Sequence, residues 1–419
     1  MRLNNLKTHI LPVLLILTLA TTSALTLNTP TVNATSILEV PSASYTTIQS
    51  ALASAKDGDT IKVAAGNYNE NIHYDGYAQA VETGSSQPKT GVTLQGSKGT
   101  VIDGNVTLLY LREFRIDGFN ISGVLTLGDS SVYGYVVDSN VTNVQVDNAA
   151  IVGGSSNILN GNCFNCGLTL QGGNTKTDIP SIKTNITDNQ ILQGLIIEAG
   201  SALNTVEGNN ISGSAVGVLE EPSTQYFVTG ANQIINNTIV CNEVGVRLYS
   251  STSDKYAPSH SADLLVQNTI QNNTVGVEIL ASTNYPASNT FYHNNFVTNG
   301  MQVKINGSIV NVWDNGKEGN YWSDYNGTDS SGDGIGDSPY VINNENHDNY
   351  PLTQEWSTTA NGVSEPSQTP SQTSSTPTTV NPTQPSGTIP EITPLFAVAG
   401  LLAFSILALI FFKRKAVFH

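Results

Sequence analysis

The chain has 419 residues, with 17 Lys and Arg against 33 Asp and Glu, and a formal net charge of −16 at pH 7. This acidity argues against a nucleic-acid partner, because a phosphate backbone would be repelled. Only 12% of the residues are charged, and Asn, Ser, Thr and Gly carry most of the polarity, which favours strands and tight turns over helices.

Residues 1–34 are predicted to be a secretion signal. Basic residues near the start precede an apolar run at 10–20, and small residues follow, which is the order found in signal peptides. Cleavage after Ala24 and cleavage after Ala34 both fit this pattern. The rest of the chain is therefore expected to be exported.

A repeat dominates the middle of the chain. Each copy has an Asn-Asn or Gln-Asn pair, an apolar residue, a polar turn, a Gly and a short alternating strand, with equivalent residues at Asn210, Asn237, Asn268 and Asn295. This pattern predicts an all-β fold, a right-handed parallel β-helix over residues 36–315. A β-sandwich is the main alternative, but its strands would not share one fixed pattern.

The alternation of apolar residues also predicts the core and the corners of the β-helix. Asn at one corner of each coil is expected to adopt left-handed backbone angles and to hydrogen-bond the equivalent Asn one coil away. A short helix with apolar residues at Ile48, Ala51, Leu52 and Ala55 is expected to cover the first coil. The predicted inward-facing residues are Ile211, Val216, Val218, Ile239, Val244, Val246, Ile270, Val275 and Val277.

Residues 316–355 are predicted to form a C-terminal cap with an acidic, Gly-rich loop. Asp329, Ser331, Asp333 and Asp337 place oxygen atoms around a Gly, an arrangement that suits Ca²⁺ and resembles the calcium loops of thrombospondin type-3 repeats. Ser331 departs from that pattern, and no carboxylate stands where the last ligand is expected. A structural Ca²⁺ site and a bare acidic turn are therefore both open.

Aromatic residues crowd the same predicted cap. Tyr321, Trp322, Tyr325 and Tyr340 could cover the last coil and seal its apolar end, with their polar tips outside. The same residue types form platforms for sugars, which is the alternative interpretation.

Three features together resemble the NosD-like group of parallel β-helix proteins in the pectin-lyase-like superfamily. They are the "YTTIQSALASAKDGDTIKV" opening, the Asn-Asn repeats and the closing "GNYWSDYNGTDSSGDGIGDSPY" segment. The resemblance covers about residues 36–352. It implies the β-helix fold, and it implies two kinds of relative: an exported accessory factor for copper-site assembly in nitrous oxide reductase, and archaeal surface proteins without known activity.

The superfamily also implies polysaccharide cleavage as an alternative function. Lyases need a Ca²⁺ cluster with an Arg or Lys base, and hydrolases need two or three close carboxylates. Between the signal and the tail the only arginines are Arg112, Arg115 and Arg247. No catalytic constellation stands out, and enzymatic activity is not the favoured interpretation. The candidate carboxylates are Asp117, Asp138, Asp147 and Glu198.

Copper handling is the other alternative that the resemblance implies. Copper sites use Met, His and Cys, and these residues are few and scattered, so a structural Ca²⁺ is expected ahead of copper. Cys163 and Cys166 could bind a soft metal, but in an exported chain a disulfide or a pair of stacked buried thiols is favoured. Cys241 could lie in the core or pair with one of the two. The other candidates are Met301, His73, His260, His293 and His347.

The C-terminal part is predicted to anchor the chain. Residues 357–394 are rich in Ser, Thr and Pro and should form an extended stalk, the uncharged stretch 395–412 should span a membrane, and the basic tail 413–419 should be cytoplasmic. A buried core helix is the alternative for that stretch. The motif after Pro390 resembles archaeal sorting signals, with Ile392 where Phe is usual, so cleavage by a sorting enzyme and permanent anchoring are both open.

The sequence therefore predicts a cell-surface β-helix protein with a structural, adhesive or glycan-binding role. Its expected partners are the cell envelope or extracellular glycans, with the membrane reached through the C-terminal helix. Asn-x-Ser/Thr sequences make some glycosylation plausible in an exported chain. The glycosylation candidates are Asn105, Asn120, Asn140, Asn185, Asn210, Asn236, Asn272, Asn306 and Asn326.

Overall fold

A computed structural model describes the chain from residue 35 to residue 357 with six gaps, one of which is a single residue. In this part of the chain, no helix has the length and the apolar character needed to cross a membrane. The predicted signal, transmembrane segment and tail, and the predicted stalk after residue 357, lie outside the described residues. The described ranges are 35–84, 87–131, 133–172, 181–222, 229–249, 262–281 and 288–357.

Short strands make up most of the described structure, with two helices, α1 (Ile48–Ser54) and α2 (Gly76–Thr83). The strands of the first half are β1 (Ile37–Val40), β2 (Thr60–Val63), β3 (Gly66–Tyr68), β4 (Ile72–Asp75), β5 (Lys89–Thr90), β6 (Thr93–Ile102), β7 (Val106–Leu109), β8 (Leu111–Arg112), β9 (Arg115–Ile121), β10 (Val124–Leu127), β11 (Val136–Val137), β12 (Asn140–Thr142), β13 (Gln145–Val146), β14 (Ala149–Val152), β15 (Gly154–Ser155), β16 (Ile158–Asn160), β17 (Cys163–Phe164) and β18 (Leu168–Leu170). The strands of the second half are β19 (Asn185–Thr187), β20 (Gln190–Leu192), β21 (Leu195–Ile197), β22 (Thr205–Glu207), β23 (Asn210–Ser212), β24 (Val216–Glu220), β25 (Gln233–Ile235), β26 (Thr238–Val240), β27 (Val244–Tyr249), β28 (Leu264–Val266), β29 (Thr269–Gln271), β30 (Val275–Leu280), β31 (Thr290–Tyr292), β32 (Asn295–Val297), β33 (Met301–Asn306), β34 (Tyr321–Trp322), β35 (Tyr340–Val341) and β36 (His347–Asp348).

These strands form the three faces of a parallel β-helix. Face 1 is a 20-stranded sheet made of two adjacent columns of strands, face 2 is a 10-stranded sheet from β4 to β33, and face 3 is a 4-stranded sheet of β5, β8, β11 and β15. Strands of successive coils pair in parallel, as β19 does with β22. Among the described residues the one antiparallel strand pair is β35 with β36, in the cap. The predicted all-β class and parallel β-helix are confirmed.

The core lies inside the coils because each strand points alternate side chains inward. In one column of face 1, Ile186, Val206, Ile234 and Leu265 follow one another in register, and all four are fully buried. Of the predicted inward residues, Val216 and Val275 are only half-buried, although Val244, which lies between them in register, is buried. The other seven are buried.

Helix α1 covers the first coil, as predicted. Ile48, Ala51, Leu52 and Ala55 are all buried in the core. The helix begins where the Thr47 side chain accepts a hydrogen bond from the backbone of its first turn, an N-cap that satisfies an otherwise unpaired donor.

Three ladders of polar side chains run along the corners of the coils. The central ladder lies between the two columns of face 1, and in it the backbone N–H of each Asn donates to the side-chain oxygen of the next, at 2.9 Å from Asn209 to Asn237 and from Asn237 to Asn268. Its members are Asn162, Asn189, Asn209, Asn237, Asn268, Asn294, Asn320 and Asp348. The second ladder includes Asn204, Asn232, Asp263, Asn289, Asn311 and Asn346, and the third Ser214, Asn242, Asn273 and Asn299.

The predicted ladder is confirmed, but the expected position of the left-handed residue is wrong. At the corner after β25, Asn236 has φ 53° and is exposed, whereas the next residue, Asn237, is buried and forms the ladder. The left-handed residue turns the chain at the corner, and its successor lies inside the coil. At other corners the left-handed residue is Gly208, Gln267 or His293, and the buried Asn that follows it forms the ladder.

Replacing Asn237 by Ala should strongly destabilise the protein. The Asn237 side chain accepts from the Asn209 backbone N–H and donates to Val206 O and Asn268 Oδ1, and each buried group left unsatisfied costs about 1–3 kcal/mol. We expect the free energy of unfolding in denaturant titrations of the full chain to fall by about 3–5 kcal/mol.

The matched control is Asn210→Ala, the same substitution at an exposed position on the neighbouring coil, which should change the free energy of unfolding by less than about 0.5 kcal/mol. Equal effects of the two substitutions would show that the ladder contributes no special stability.

Candidate functional site

Stacked aromatic rings close the C-terminal end of the core. Trp322 lies between Phe296, 4.3 Å away at 6°, and Tyr340, 4.2 Å away at 8°, measured between ring centroids. A second stack pairs Phe291 with Trp313 at 4.3 Å. Trp322 is 1% exposed, so neither of its faces is open to a sugar. These rings continue the core stack and shield its last coil from water.

A buried carboxylate ends the central ladder. Asp348 is fully buried, and its Oδ2 accepts from the Asn320 backbone N–H at 2.7 Å and from Trp322 Nε1 at 2.9 Å. Its Oδ1 accepts from the Tyr350 backbone N–H. Burial raises the pKa of Asp348 to about 6, although these hydrogen bonds act in the opposite direction. Asp348 thus accepts from both the last ladder residue and the last core ring.

Asp348→Asn should remove one component of the pH dependence of stability. Because the pKa of Asp348 is raised in the folded state to about 6, from about 3.9 for an ordinary Asp, its contribution is most favourable below the unfolded pKa and is lost as the pH rises through 6. Two pKa units correspond to about 3 kcal/mol. The free energy of unfolding of the wild type, minus that of Asp348→Asn, should therefore fall by about this amount between pH 3.5 and pH 7.

All other titrating groups are common to both proteins and cancel in this difference. The Asn side chain retains an oxygen acceptor for Asn320 and Trp322, so the cap should still form. A difference that stays constant or rises with pH would contradict the assignment.

The acidic loop of the cap turns its carboxylates toward its own backbone. Asp329 accepts from the N–H groups of Gly332 and Gly334 at 2.7 and 2.9 Å, and Asp333 accepts from Ile335 N–H. Hydrogen bonds from Gly334 first, then Gly332, lower the pKa of Asp329.

The calcium prediction is not supported by this geometry. Asp337 accepts from the Ser330 side chain and from Thr328, while Ser331 donates to Asp329. Among the described residues, no group of three or more His, Cys, Asp or Glu side chains could hold a metal ion. The spacing that suggested metal ligands here produces hydrogen-bonded turns, in which each carboxylate caps nearby N–H and O–H groups.

Calcium should therefore not stabilise the fold. We expect the thermal unfolding midpoint of the full chain to be the same in excess Ca²⁺, in excess Mg²⁺ and in chelator, because a ligand raises the midpoint only if it binds the folded state. A rise seen with Ca²⁺ and not with Mg²⁺, and abolished by Asp333→Ala, would restore the calcium site.

The structure does not join Cys163 to Cys166 in the expected disulfide. Both are free cysteines, and strand alternation explains why: Cys163 is half-buried on the outer side of the coil, whereas Cys166 faces the core with its thiol near Val146 O. Burial raises the pKa of Cys166 to about 11, so its thiol stays protonated and is a poor metal ligand. Cys241 is exposed at another corner.

The soft ligands that copper prefers are not brought together either. His293 stacks on Trp356 at 3.5 Å, and its Nε2 lies 2.8 Å from the Glu318 carboxylate. Burial lowers the pKa of His293. His73 lies on face 2 near the N-terminal end, and His347 lies in the cap strand β36. His260 lies outside the described residues. The described residues therefore do not fit a copper site.

The candidate carboxylates are dispersed over different faces and have structural partners. Asp117 accepts from Thr142 and Asn143, and Asp138 pairs with Arg112 at 3.3 Å. Asp147 accepts from Gln145 and Asn165. Glu198 accepts from the Gly172 N–H, and burial raises the pKa of Glu198. Among these four candidate carboxylates, no two lie together free of such partners, as a catalytic pair would.

The arginine candidates are similarly separated. Arg247 contacts Glu278 at 2.7 Å, and Lys304 contacts the same carboxylate at 2.8 Å, which forms a row of charges across face 2. Arg115 begins β9 on face 1 and is exposed.

Most glycosylation candidates are accessible where the structure places them. Asn105, Asn120, Asn185, Asn210, Asn236, Asn272, Asn306 and Asn326 are exposed, and Asn140 is half-buried. Asn236 and Asn272 occupy left-handed corners immediately before ladder residues.

A cluster of four tyrosines on the outer surface was missed in the sequence. Tyr77, Tyr110, Tyr133 and Tyr135 form this tyrosine cluster, with Tyr77 and Tyr133 rings 4.2 Å apart, and Tyr110 edge-on to Tyr77 and to Tyr135 at 5.7 and 5.6 Å. The available signal was the Tyr-Gly-Tyr sequence, which follows Tyr110 by about one coil. The cluster is the largest group of partly open aromatic rings among the described residues outside the cap.

Comparison with protein families agrees with the repeat pattern. Residues 98–327, more than half of the chain, match the family described as "Periplasmic copper-binding protein (NosD)". The chain belongs to the NosD family. The matched region covers most of the β-helix and the start of the cap, and it ends just before the acidic loop. No curated protein matches the chain in sequence.

Several solved structures resemble the NosD-family chain in fold. An alginate lyase from Paenibacillus is 16% identical, with 65% of this chain and 99% of the lyase covered and a TM-score of 0.41. The A-module of an Azotobacter vinelandii mannuronan C-5 epimerase is 13% identical, with 63% and 85% covered and a TM-score of 0.31. A tailspike of E. coli bacteriophage HK620 is 14% identical, with 63% and 60% covered and a TM-score of 0.38. Nothing about substrate follows from likeness at this level.

Proposed function

We propose that this NosD-family protein is an exported, cell-surface β-helix with a structural or adhesive role toward the cell envelope or extracellular glycans. One observation carries the proposal: the polar groups of the described coils are engaged in holding the coils together. Amide side chains form the three ladders, and the candidate carboxylates bind neighbouring coils, as Asp117 does through Thr142 and Glu198 through Gly172. A long surface built in this way suits repetitive binding more than chemistry at one point.

The sequence supports the surface location. The signal at 1–34 would export the chain, the stalk at 357–394 would hold the β-helix away from the membrane, and the segment at 395–412 would anchor it, with archaeal-type sorting as the alternative fate. The family description "periplasmic" agrees with export. Exposed sequons such as Asn210 and Asn326 would then carry glycans.

Copper-site assembly is the second candidate, and family membership favours it. Copper needs converging Met, His or Cys side chains. Met301 lies on face 2, His293 is held between Trp356 and Glu318, and Cys163 and Cys166 face opposite sides of the coil wall. This dispersion argues for the structural role.

Polysaccharide cleavage is the third candidate, and Glu198 is the observation in its favour. A half-buried carboxyl with a raised pKa is suited to act as a general acid. A hydrolase also needs a second carboxylate at about 5–10 Å, and besides burial, Glu221 on the next coil helps to raise the pKa of Glu198. Glu198 accepts from the Gly172 N–H on the preceding coil. Glu221 accepts from the Ala199 N–H, so both carboxylates link coils.

Metal content and cleavage assays test the three candidates together. The full chain, purified under mild conditions, should contain less than a tenth of an equivalent of copper and should release no new chain ends from alginate or polygalacturonate. This result is expected because the soft ligands do not converge, and because the neighbouring carboxylates Glu198 and Glu221 accept hydrogen bonds from the backbone.

The control variant for cleavage is Glu198→Gln. Stoichiometric copper would contradict the structural role in favour of assembly, and cleavage that Glu198→Gln abolishes would contradict it in favour of an enzyme.

A further inference from the structure

The tyrosine cluster lies outside the coil wall, at the edge between face 2 and face 3. Tyr77 lies in helix α2 just after β4, Tyr110 follows β7, and Tyr133 and Tyr135 lie in the loop between β10 and β11. Two insertions, helix α2 and the loop after β10, therefore meet at the corner that Tyr110 forms between β7 and β8. Tyr133 is 56% exposed, so part of the combined ring surface is open to solvent.

Two glycines let the backbone segments that carry the tyrosines lie close together. A Cβ atom at Gly76 would lie 2.2 Å from Tyr110 O, and one at Gly134 would lie 2.0 Å from the Asp129 carboxylate. The Asp129 carboxylate accepts from the Ser131 backbone and side chain, which shapes the loop. Glycines at these positions allow the two insertions to draw close enough for the rings to touch.

A hydrogen bond between coils fixes the two sides of the cluster. The Tyr110 backbone N–H donates to Gly134 O at 3.3 Å, so the residues on both sides of Gly134 are aligned with Tyr110. Tyr110 itself has φ 53°, a backbone conformation that costs a bulky side chain more than it costs Asn or Gly. Tyr at this corner is therefore not explained by the needs of the turn.

Polar side chains on the same coils extend the surface along face 2. His73, Thr107 and Thr126 are aligned in register on β4, β7 and β10, on the outer side of the sheet. They repeat at the spacing of adjacent strands, about 4.8 Å, which is of the same order as one sugar ring in an extended chain. Aromatic faces beside a row of hydroxyl and imidazole groups combine stacking with hydrogen bonding.

We propose that the tyrosine cluster binds a neutral polysaccharide. Tyrosine rings offer apolar faces to sugar C–H groups and hydroxyls to their edges, at low entropic cost. The formal charge of −16 disfavours anionic polysaccharides, because like charges are repelled at long range. The inference rests on the proposed adhesive role and names the class of partner.

Binding of the full chain to galactomannan, a neutral polysaccharide, tests the inference, with alginate as the anionic comparison. Tyr133→Ala should weaken galactomannan binding about tenfold, since it removes an exposed stacking face, and Tyr133→Phe should retain binding to within about twofold. The matched control is Tyr350→Ala, which removes a 37% exposed tyrosine from the cap and should leave binding unchanged. Thermal unfolding of each variant checks that it folds.

The outcomes separate this inference from the proposed function. Galactomannan binding that Tyr133→Ala leaves intact would overturn the assigned site while an adhesive role stands. A wild type that binds alginate, or that binds neither polysaccharide, would overturn the neutral ligand. The proposed structural role is judged separately, by the copper and cleavage measurements.

Discussion

A buried side-chain amide oxygen that accepts a backbone N–H from the preceding coil is the contact on which this β-helix depends. At each corner the strand hydrogen bonds stop, and a buried N–H without a partner would cost about as much as a lost hydrogen bond. Asn237 meets this need for Asn209, and Asn268 meets it for Asn237. Because Asn offers both a donor and an acceptor, the same contact repeats without limit along the axis.

The last residue of such a ladder still needs an acceptor for its backbone N–H, and in the cap a carboxylate replaces the Asn amide in this role. Asp348 accepts from the last Asn of the central ladder and from Trp322, so one carboxylate joins the polar ladder to the aromatic end of the core. Stacking of Trp322 on Tyr340 covers apolar surface that another coil would otherwise bury. The cap therefore covers the apolar core at the end of the last coil and also supplies the hydrogen-bond acceptor that the last ladder residue needs.

The features that recur in every coil could be predicted from the sequence, whereas those that depend on three-dimensional stacking could not. Strand alternation and paired Asn are local signals, so the β-helix, its core and the ladder followed from them. The same alternation places Cys163 outside and Cys166 inside the coil, although their short spacing in sequence suggests that they are neighbours. Asp329 and its neighbours form hydrogen-bonded turns, and the residue spacing of such turns is also that of a calcium loop. The tyrosine cluster joins two insertions and one corner from three coils with no shared sequence pattern, so it is visible only when the coils are stacked.

In the described β-helix, buried polar side chains stabilise the fold by joining successive coils. Native-state hydrogen exchange tests this account most directly. The backbone N–H groups of Asn209, Asn237 and Asn268 point to side chains instead of strands, and they are predicted to be as strongly protected as the strand residue Ile239. Exchange of these three N–H groups at the rate of unprotected surface amides would contradict the central role of the ladder.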